Sequence, residues 1–264
     1  MLAEERRQII LEILQKDGRV IAKELADLFQ ISVDSVRRDL SMMENQGLLQ
    51  KTYGGAIALK ALQKVRTLPT SESKRYGIPE PHQDAISKLA SSYIQEHDTV
   101  FIGGAGIQYG MLKHLPVDIP FTLVTNSMKI AESVRKQKNI TAYLIGGKLR
   151  GESAGSIIDI LAIEMMSKFS LDIGFITGGG ITASGISTAT PEGAAFARKV
   201  AEVSRKNICL APNEKVGQNM FVTSVPIDKI DLIITDEAVS EKVIQDIEKT
   251  NAEIIIVNTT STKE

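Results

Sequence analysis

Hydrophobic residues recur at helical spacing in three successive segments near the start of the chain. Isoleucine and leucine return every three or four residues over positions 3–16, and Gly18 follows as a helix stop. The same spacing predicts a second helix over residues 22–29. Ser32 then supplies a hydroxyl that can accept an amide hydrogen bond, which predicts a third helix beginning at Val33.

The third predicted helix has one apolar side and one polar side. Its apolar residues fall at intervals of three and four, so they are expected to face a core. These residues are Val33, Val36, Leu40 and Met43. The opposite side then carries Asp34, Ser35, Arg37, Arg38 and Ser41.

A β-hairpin is predicted directly after this helix. Residues 48–53 and 56–59 form two extended runs, and the pair Gly54 and Gly55 between them suits a tight turn. Three helices followed by a hairpin predict a winged helix-turn-helix domain over residues 1–59.

A second, larger domain is predicted after a linker. Periodicity fails over residues 60–83, where three prolines stand among Thr, Ser, Glu and Lys, as expected of a linker. Over residues 84–264, short apolar runs alternate with helical patterns, which predicts an α/β domain with a mostly parallel sheet. The predicted strands are residues 99–102, 121–125, 141–145, 172–176, 207–211, 232–235 and 254–257.

Several of these strands end in glycine or small polar residues, at 103–106, 125–127, 146–147 and 178–180. Ligands in open α/β sheets bind outside the carboxyl ends of the strands. Backbone amides of residues 103–106, with the positive end of the helix predicted to follow, can hold an anion. The same glycines fit equally well a tight strand-to-helix connection that binds nothing.

Composition narrows the class of protein further. Thirty-one lysines and arginines stand against 32 aspartates and glutamates, so the overall charge does not indicate a nucleic-acid partner. A charged N-terminus and the lack of an apolar run near the roughly 20 residues that span a bilayer predict a cytoplasmic protein with no membrane partner. Cys209, the only cysteine, is expected to be a small buried hydrophobe, and neither a metal nor a cofactor is expected.

The polar side of the third helix carries residue types that read DNA. Guanine offers two acceptors in the major groove, and Ser35, Arg37 and Arg38 lie in the exposed N-terminal half of this helix. Lys51 and Tyr53 alternate along the predicted wing strand, so both lie on one side, where they can hold phosphate. The candidate DNA-binding residues are Ser32, Asp34, Ser35, Arg37, Arg38, Lys51, Tyr53 and Gly54.

Acidic residues in the same segment weaken the case for DNA binding by this helix. Arg38 can instead pair with Asp34 one helical turn away, which would leave Arg37 as an ordinary solvated residue. Acidic residues match basic residues in number over positions 1–60, so any positive surface is local, with Arg6 and Arg7 able to add backbone contacts. Affinity for double-stranded DNA should then depend on few phosphate contacts per subunit and on dimerisation.

The same segment resembles a known signature. The run Ile-Ser-Val-Asp-Ser-Val-Arg-Arg-Asp-Leu at 31–40, then Glu44-x-x-Gly47 and Lys-Thr-Tyr-Gly-Gly-Ala at 51–56, is similar in order and spacing to the DeoR family of bacterial transcription regulators. Later segments resemble the effector domain of that family, so the likeness covers nearly the whole chain. These segments are Thr125-Asn-Ser127, Gly146-Gly147, Gly185-Ile-Ser-Thr188, Lys215-x-Gly217 and Thr235-Asp236.

This resemblance implies a sensor domain similar to sugar-phosphate isomerases, in an oligomeric repressor of carbohydrate-metabolism genes that is released by a phosphorylated sugar or related metabolite. The chain departs from the family pattern at residues 103–107, where similar proteins carry an Asp-x-Gly-Thr-Thr type loop, and at Pro212 and Gly193, where they carry acids. Strand ends and resemblance together give the effector-binding candidates: Gly103, Gly104, Ala105, Gly106, Thr125, Asn126, Ser127, Gly147, Gly179, Thr188, Glu192 and Lys215.

Two other functions compete with regulation. An isomerase-like enzyme needs a positioned acid or base, and Glu192 and Asp236 are the only carboxylates near predicted strand ends that qualify. No Ser/His/Asp set or metal spacing accompanies them, and the three histidines suit structural or solvent-facing roles, so catalysis is not expected. A protein-interaction module would instead keep Arg37 and Arg38 in ion pairs and bind its partner regardless of salt.

Overall fold

Residues Met1–Lys64 and Val65–Glu264 form two separate units of the chain, the N-terminal unit and the C-terminal unit. The computed structural model describes residues 3–17, 19–45, 48–58, 75–149 and 156–259. The predicted helix stop at Gly18 and most of the predicted linker, residues 60–74, lie outside these ranges. None of the helices within them has both the length and the apolar character needed to cross a bilayer.

The described part of the N-terminal unit holds the predicted helices around one core. Its elements are α1 (Ala3–Asp17), β1 (Arg19–Ile21), α2 (Ala22–Phe29), α3 (Val33–Asn45), β2 (Leu49–Thr52) and β3 (Gly55–Ala58). On α3 the predicted apolar side is buried, with Val36, Leu40 and Met43 packed among residues of α1 such as Ile10. The burial of that side leaves the polar side of α3 facing outward.

The wing differs from the predicted hairpin in its turn. Thr52 of β2 pairs with Gly55 of β3, so Tyr53 and Gly54 form the turn, and the predicted turn at Gly54 and Gly55 was wrong by one residue. A Cβ on Gly55 would overlap the carbonyl oxygen of Val20, so the close approach of β1 requires glycine inside the strand. β1, for which no strand was predicted, is thus the third strand of a sheet with order β1-β3-β2.

The C-terminal unit alternates strands with helices. Its helices are α4 (Pro81–Ser91), α5 (Gly106–Gly110), α6 (Met128–Val134), α7 (Ile160–Met166), α8 (Pro191–Val203) and α9 (Glu241–Glu248), with short 3-10 turns at Met111–His114, Asn213–Lys215 and Ile227–Lys229. Its strands are β4 (Thr99–Ile102), β5 (Phe121–Thr125), β6 (Ile140–Leu144), β7 (Leu171–Ile176), β8 (Gly180–Thr182), β9 (Gly185–Thr188), β10 (Ser204–Leu210), β11 (Val222–Pro226), β12 (Leu232–Asp236) and β13 (Glu253–Val257). The first turn of α4 occupies residues that the sequence had assigned to the linker, because Pro81 serves as its first helical residue.

The seven predicted strands form one sheet in the order β13-β12-β10-β7-β4-β5-β6. Every neighbouring pair is parallel, as the sequence predicted. Two clusters of buried apolar side chains pack on the sheet, one including Phe101 and Phe196 and the other Val100 and Phe175. Successive residues of β4 enter different clusters, so both faces of the sheet are covered, as is typical of α/β proteins.

The direction of winding reverses between β4 and β7. From β4 the chain proceeds to β5 and β6 on one side, then crosses to β7 and continues outward through β10, β12 and β13 on the other. Such a reversal opens a crevice at the carboxyl ends of the two strands where ligands bind. Two segments border this switch point: the glycine loop, residues 103–106, and residues 177–180.

A second sheet of the C-terminal unit was not predicted. β8, β9 and β11 pair antiparallel in the order β11-β9-β8. β8 and β9 are joined by a tight turn at which Gly185 has a φ of 121°, a conformation that favours glycine. This sheet directly follows β7 and so adjoins the switch point.

Candidate DNA-binding face and effector site

The start of α3 is capped by two serines. The backbone amide of Ser35 donates to the Ser32 hydroxyl oxygen at 3.2 Å, and the two hydroxyl oxygens lie 2.9 Å apart. Ser32 is exposed and Ser35 is half-buried. The cap therefore fixes where α3 begins and leaves serine hydroxyls at the end of the helix that the sequence assigned to DNA.

The two arginines of α3 have different partners. Nη1 of Arg37 lies 3.4 Å from an Asp34 carboxylate oxygen, and both side chains are largely exposed. Within the ranges described, no carboxylate pairs with Arg38, whose side chain is also exposed. The alternative prediction that Arg38 pairs with Asp34 was therefore wrong. Asp34 pairs with Arg37, three residues later in the helix, and not with Arg38, four residues later.

A third arginine, Arg6, forms a shielded ion pair inside the N-terminal unit. Nε and Nη2 of Arg6 donate to the same Asp39 oxygen at 3.0 and 2.8 Å. The two side chains are 15% and 9% exposed, so the pair is shielded from water. Arg6 thus joins α1 to α3, which corrects the expectation that it lies open for a phosphate contact.

The wing is tied to α3 through polar contacts. Nζ of Lys51 donates to the Ser41 hydroxyl at 2.7 Å, and that hydroxyl donates to the carbonyl of Arg37 at 2.8 Å. The backbone amide of Lys51 donates to Glu44 at 2.8 Å. These bonds bring the Lys51 ammonium group onto the polar side of α3, the side that also carries Arg37 and Arg38.

The turn of the wing presents a side chain to solvent. Tyr53 is fully exposed at 106% of its reference area, and Gly54 beside it is exposed as well. A large aromatic residue with no packing contact of its own is available for a partner outside the unit.

The glycine loop is held by a glutamine of α5 and by a tyrosine near the linker. Oε1 of Gln108 accepts from the Ala105 amide at 3.2 Å, while Nε2 of Gln108 donates to the Phe175 carbonyl at 2.7 Å. Gln108 thereby bridges the loop after β4 to the end of β7 across the switch point. The hydroxyl of Tyr76 donates to the Gly104 carbonyl at 3.0 Å.

Two glycines of the loop leave no room for a side chain. A Cβ on the buried Gly103 would come within 2.9 Å of Oε1 of Gln108. A Cβ on Gly106 would overlap the backbone carbonyl oxygen of Arg75. Close packing against other parts of the unit therefore accounts for glycine at both positions.

The segment after β5 is buried and mostly engaged in the fold. The Thr125 hydroxyl accepts from the Ser127 amide at 3.1 Å, and the Ser127 hydroxyl caps α6 by accepting from the Ile130 amide at 3.4 Å. Nδ2 of Asn126 donates to the Ile157 carbonyl at 2.9 Å. Its Oδ1 is buried and accepts no hydrogen bond within the described residues, which leaves an acceptor for a donor that is not part of the described fold.

Lys215 reaches the switch point from the turn after β10. Its Nζ lies 3.5 Å from the Thr177 hydroxyl, which itself donates to the Leu210 carbonyl at 2.8 Å. Asp236, fully buried, holds this turn by accepting from the backbone amide and the Nδ2 of Asn213 at 2.7 and 2.8 Å. Asp236 thus positions the turn that carries Lys215, and both of its carboxylate oxygens accept hydrogen bonds within the fold.

Three further candidates follow β7 and β9. The amide of Gly179 donates to the Ser187 carbonyl at 2.9 Å, and the Met220 side chain packs against this glycine. Thr188 ends β9, half-buried, and Glu192 is exposed in the first turn of α8. Gly179 and Thr188 are therefore brought together by the small antiparallel sheet.

Gly147 is separated from the glycine loop. It follows the edge strand β6, and β5 lies between β6 and β4 in the sheet. Its φ is 146°, and a Cβ would overlap Oδ1 of Asp159, which caps α7. Local backbone geometry is a sufficient reason for glycine at this position.

Sequence reasoning missed several residues at the switch point. Tyr76 and Gln108 contact the glycine loop, Thr177 faces Lys215, and the Lys129 ammonium lies 4.5 Å from the centre of the Tyr76 ring. Thr177 directly follows a predicted strand, so its position alone could have identified it. The other three carry no local signal, because their contacts depend on how distant segments pack.

The three histidines make structural or solvent contacts. Nε2 of His82 lies 3.2 Å from Glu214, that of His114 lies 2.9 Å from Asp84, and His97 is exposed. Burial works to raise the pKa of Asp84, but hydrogen bonds from His114 and the neighbouring lysine outweigh it and hold that pKa below its ordinary value. No group of three His, Cys, Asp or Glu side chains in the described ranges is placed to hold a metal ion.

Cys209 is a buried residue of β10. Burial raises the pKa of its thiol to about 12, only partly opposed by the charge of Lys215. The thiol is therefore neutral at ordinary pH, as expected of a small hydrophobe.

Comparison with known proteins assigns both units. The family model of the DeoR-like helix-turn-helix domain matches residues 6–61, and that of the DeoR C terminal sensor domain matches residues 80–237. The HTH-type transcriptional repressor GlcR of Bacillus subtilis (strain 168) is 30% identical over 97% of this chain and 97% of its own length. The HTH-type transcriptional regulator IolR of the same strain is 25% identical over 91% of this chain and 94% of its own length.

Likeness to solved structures is weaker. Ribose 5 phosphate isomerase A from Neisseria gonorrhoeae aligns with a TM-score of 0.36 and 13% identity over 51% of this chain and 52% of its own, which is too low to support an argument. The family matches cover both units and most of the chain. The chain therefore belongs to the DeoR family and is a DNA-binding transcription regulator, not an enzyme.

Proposed function

We propose that the chain is a cytoplasmic repressor of carbohydrate-metabolism genes that binds operator DNA through α3 and its wing and is released by a phosphorylated sugar. The observation that carries the DNA half is that Arg37, Arg38 and Lys51 lie on the polar side of α3, with Arg38 exposed and unpaired by any described carboxylate. Since guanidinium groups match the two acceptors of guanine and also bind phosphate, this face suits the major groove.

The remaining candidates complete this face. Ser32 and Ser35 lie at the start of α3 and offer hydroxyls to phosphate, while Asp34 orients Arg37. Tyr53 and Gly54 form the exposed turn of the wing, which can follow the DNA backbone. The positive groups are few, so each subunit neutralises few phosphates and a homodimer or homotetramer is needed for tight binding.

The effector half rests on the switch point between β4 and β7. Lys215 brings an ammonium group toward the crevice, and its neighbour Thr177 offers a hydroxyl. Oδ1 of Asn126 is a buried acceptor without a described donor, which suits a ligand hydroxyl. A cation, backbone amides and an acceptor for hydroxyls together match the chemistry of a sugar phosphate better than that of an apolar ligand.

We propose that the effector binds along this crevice through the candidate residues. They are Gly103, Gly104, Ala105, Gly106, Thr125, Asn126, Ser127, Gly179, Thr188, Glu192 and Lys215, with Gly147 at the more distant end of β6. Thr125 and Ser127 act by shaping the backbone, because their hydroxyls are already bonded within the fold.

The proposal is tested with one protein in two assays. A thermal-shift screen compares each sugar with its phosphorylated form. In the second assay, a labelled duplex with the DNA sequence upstream of the gene for this chain is titrated at two salt concentrations. We expect phosphorylated sugars alone to raise the melting temperature and weaken binding of the duplex. Stabilisation by unphosphorylated sugars only would overturn the effector class, and equal, salt-insensitive binding of scrambled DNA would overturn the DNA-binding face.

A further inference from the structure

The first described residues of the C-terminal unit, Arg75 and Tyr76, contact the glycine loop. The Tyr76 hydroxyl donates to the Gly104 carbonyl at 3.0 Å. The carbonyl oxygen of Arg75 lies so close to Gly106 that a Cβ there would overlap it. Two consecutive residues next to the linker thus contact two residues of the loop that borders the switch point.

The Tyr76 ring makes a second set of contacts. It packs edge-on against Tyr109 of α5, with the ring centres 4.8 Å apart. Nζ of Lys129 on α6 lies 4.5 Å from the Tyr76 ring centre and 5.8 Å from that of Tyr109. Tyr76 therefore contacts the segments that follow both β4 and β5, and these contacts do not depend on its hydroxyl.

Access to the glycine loop is limited by these contacts. Tyr76 is bonded to Gly104, the Arg75 carbonyl packs on Gly106, and Gln108 already accepts from the Ala105 amide. A carbonyl oxygen carries partial negative charge, so an anion and the Arg75 carbonyl are poorly compatible neighbours. A phosphoryl group that approaches Gly106 from this side therefore requires the segment of Arg75 and Tyr76 to move away.

We propose that Tyr76 is a latch that closes the glycine loop in the absence of effector and that the phosphoryl group of the effector displaces it. Displacement frees the end of the linker that leads to the DNA-binding unit. This inference rests on the effector site proposed above. Since effector binds only the open form, the closed fraction lowers its apparent affinity, and whatever opens the latch acts in the same direction as effector.

The variant Tyr76→Phe tests the latch because it removes the hydroxyl and keeps the ring. We expect faster hydrogen exchange of residues 75–80, and binding of glucose 6-phosphate or inorganic phosphate tighter by roughly 2- to 10-fold, the range for loss of one neutral hydrogen bond. Operator affinity without any ligand should fall by a similar factor. Tyr93→Phe is the matched control, since Nζ of Lys206 also lies 4.9 Å from that ring centre.

A second variant opens the latch from the loop side. In Gly106→Ala the added methyl overlaps the Arg75 carbonyl, so exchange of residues 75–80 should also accelerate. Gly146→Ala is its control, because a Cβ there meets nothing within 4 Å. Exchange and operator affinity that match wild type in both Tyr76→Phe and Gly106→Ala would overturn the latch.

The latch and the effector class can fail separately. If no phosphate compound binds wild type, the proposed effector is wrong, while altered exchange and operator affinity in Tyr76→Phe alone still support the latch. A second outcome is that phosphates bind wild type, Tyr76→Phe and Tyr93→Phe with the same Kd and weaken operator binding equally in all three. The proposed effector class then stands and the latch is overturned.

Discussion

Two neighbouring arginines on α3 differ in whether they must break an ion pair before they can contact DNA. Arg37 pairs with Asp34 on an exposed surface, where such a pair contributes about 0–1 kcal/mol, so it can open toward a nucleic acid at little cost. Arg38 has no acidic partner within the described residues and needs no such rearrangement. Of the two, Arg38 is the side chain whose loss should act most directly on DNA.

Arg38→Ala is expected to weaken operator binding by roughly 1–3 kcal/mol if the guanidinium contacts a base. The measurement is a titration of labelled operator against scrambled DNA at fixed salt. Arg205→Ala is the matched control, because that arginine is also exposed and lies on the C-terminal unit, where it pairs with Asp172. Unchanged operator affinity in Arg38→Ala would remove this residue from the DNA-binding face.

Cys209 should resist alkylation in the folded protein. With a thiol pKa of about 12 and 2% exposure, almost no thiolate forms near pH 8, and the reagent cannot reach it. Mass spectrometry after iodoacetamide treatment is expected to show an unmodified native chain and complete modification in denaturant. Native modification at the rate of a free thiol would contradict the burial of β10.

Local spacing predicts side chains on one helix better than partners on two. The polar side of α3 was predicted from the positions of Val36 and Leu40, since a 3.6-residue period relates them directly. The bond of Arg6 to Asp39 joins residues 33 apart in sequence, and nothing in the spacing of either helix indicates it. Such a pair depends on how two helices pack, so it became visible only in the structure.

The contact between α1 and α3 depends on that shielded pair. Arg6→Ala would leave the Asp39 carboxylate buried without its partner, which is expected to destabilise the N-terminal unit by about 3 kcal/mol. The readout is the free energy of unfolding by urea. A loss below about 0.5 kcal/mol, typical of surface substitutions, would show that the pair does not hold the helices together.

A double variant separates stability from DNA contact. Arg6→Met with Asp39→Leu removes both charges, so it should recover much of the lost stability. If Arg6 is structural, the double variant binds operator nearly as wild type does. Full stability with lost operator affinity would instead return Arg6 to the DNA-binding residues.

Elements with strong patterns were predicted and those without were missed. The seven parallel strands follow from runs such as residues 232–235, whose apolar side chains suit a strand buried on both faces. β8 and β9 are short and include Gly180, Gly185, Ser187 and Thr188, and β11 (Val222–Pro226) has polar residues at its second and third positions and ends in proline, so neither alternation nor an apolar run marks them. Their pairing comes from tertiary contact rather than from local preference.

Operator geometry follows from the sparse charge of each DNA-binding unit. If the proposed face of Arg37, Arg38 and Lys51 binds DNA, its few charges make one unit bind weakly, and we expect two subunits to occupy half-sites about 10–10.5 bp apart or a multiple of that spacing. Inserting about half a helical turn between half-sites is expected to lower affinity strongly, and inserting a full turn to restore part of it. Equal affinity for all three duplexes would show that one unit binds independently.

The effector crevice was predictable in outline but not in its contacts. Parallel strands place their carboxyl ends on one edge, so loops after predicted strands were expected to gather there, as the glycine loop and Lys215 do. Tyr76 lies inside the predicted linker, residues 60–83, where no strand or motif draws attention to it. Its bond to Gly104 could be found only once the fold had brought them together.

The switch point can form only after β7 has been synthesised, because it needs both β4 and β7. β4 and β7 are adjacent although residues that they bring into contact, Thr99 and Asp172, are 73 positions apart. A ribosome completes α3 and the wing long before it has made β7, and N-terminal domains generally fold first during synthesis. A chain interrupted between β6 and β7 therefore carries all of the proposed DNA-binding residues but lacks one border of the proposed crevice, and we expect any DNA binding that it retains to be insensitive to the effector.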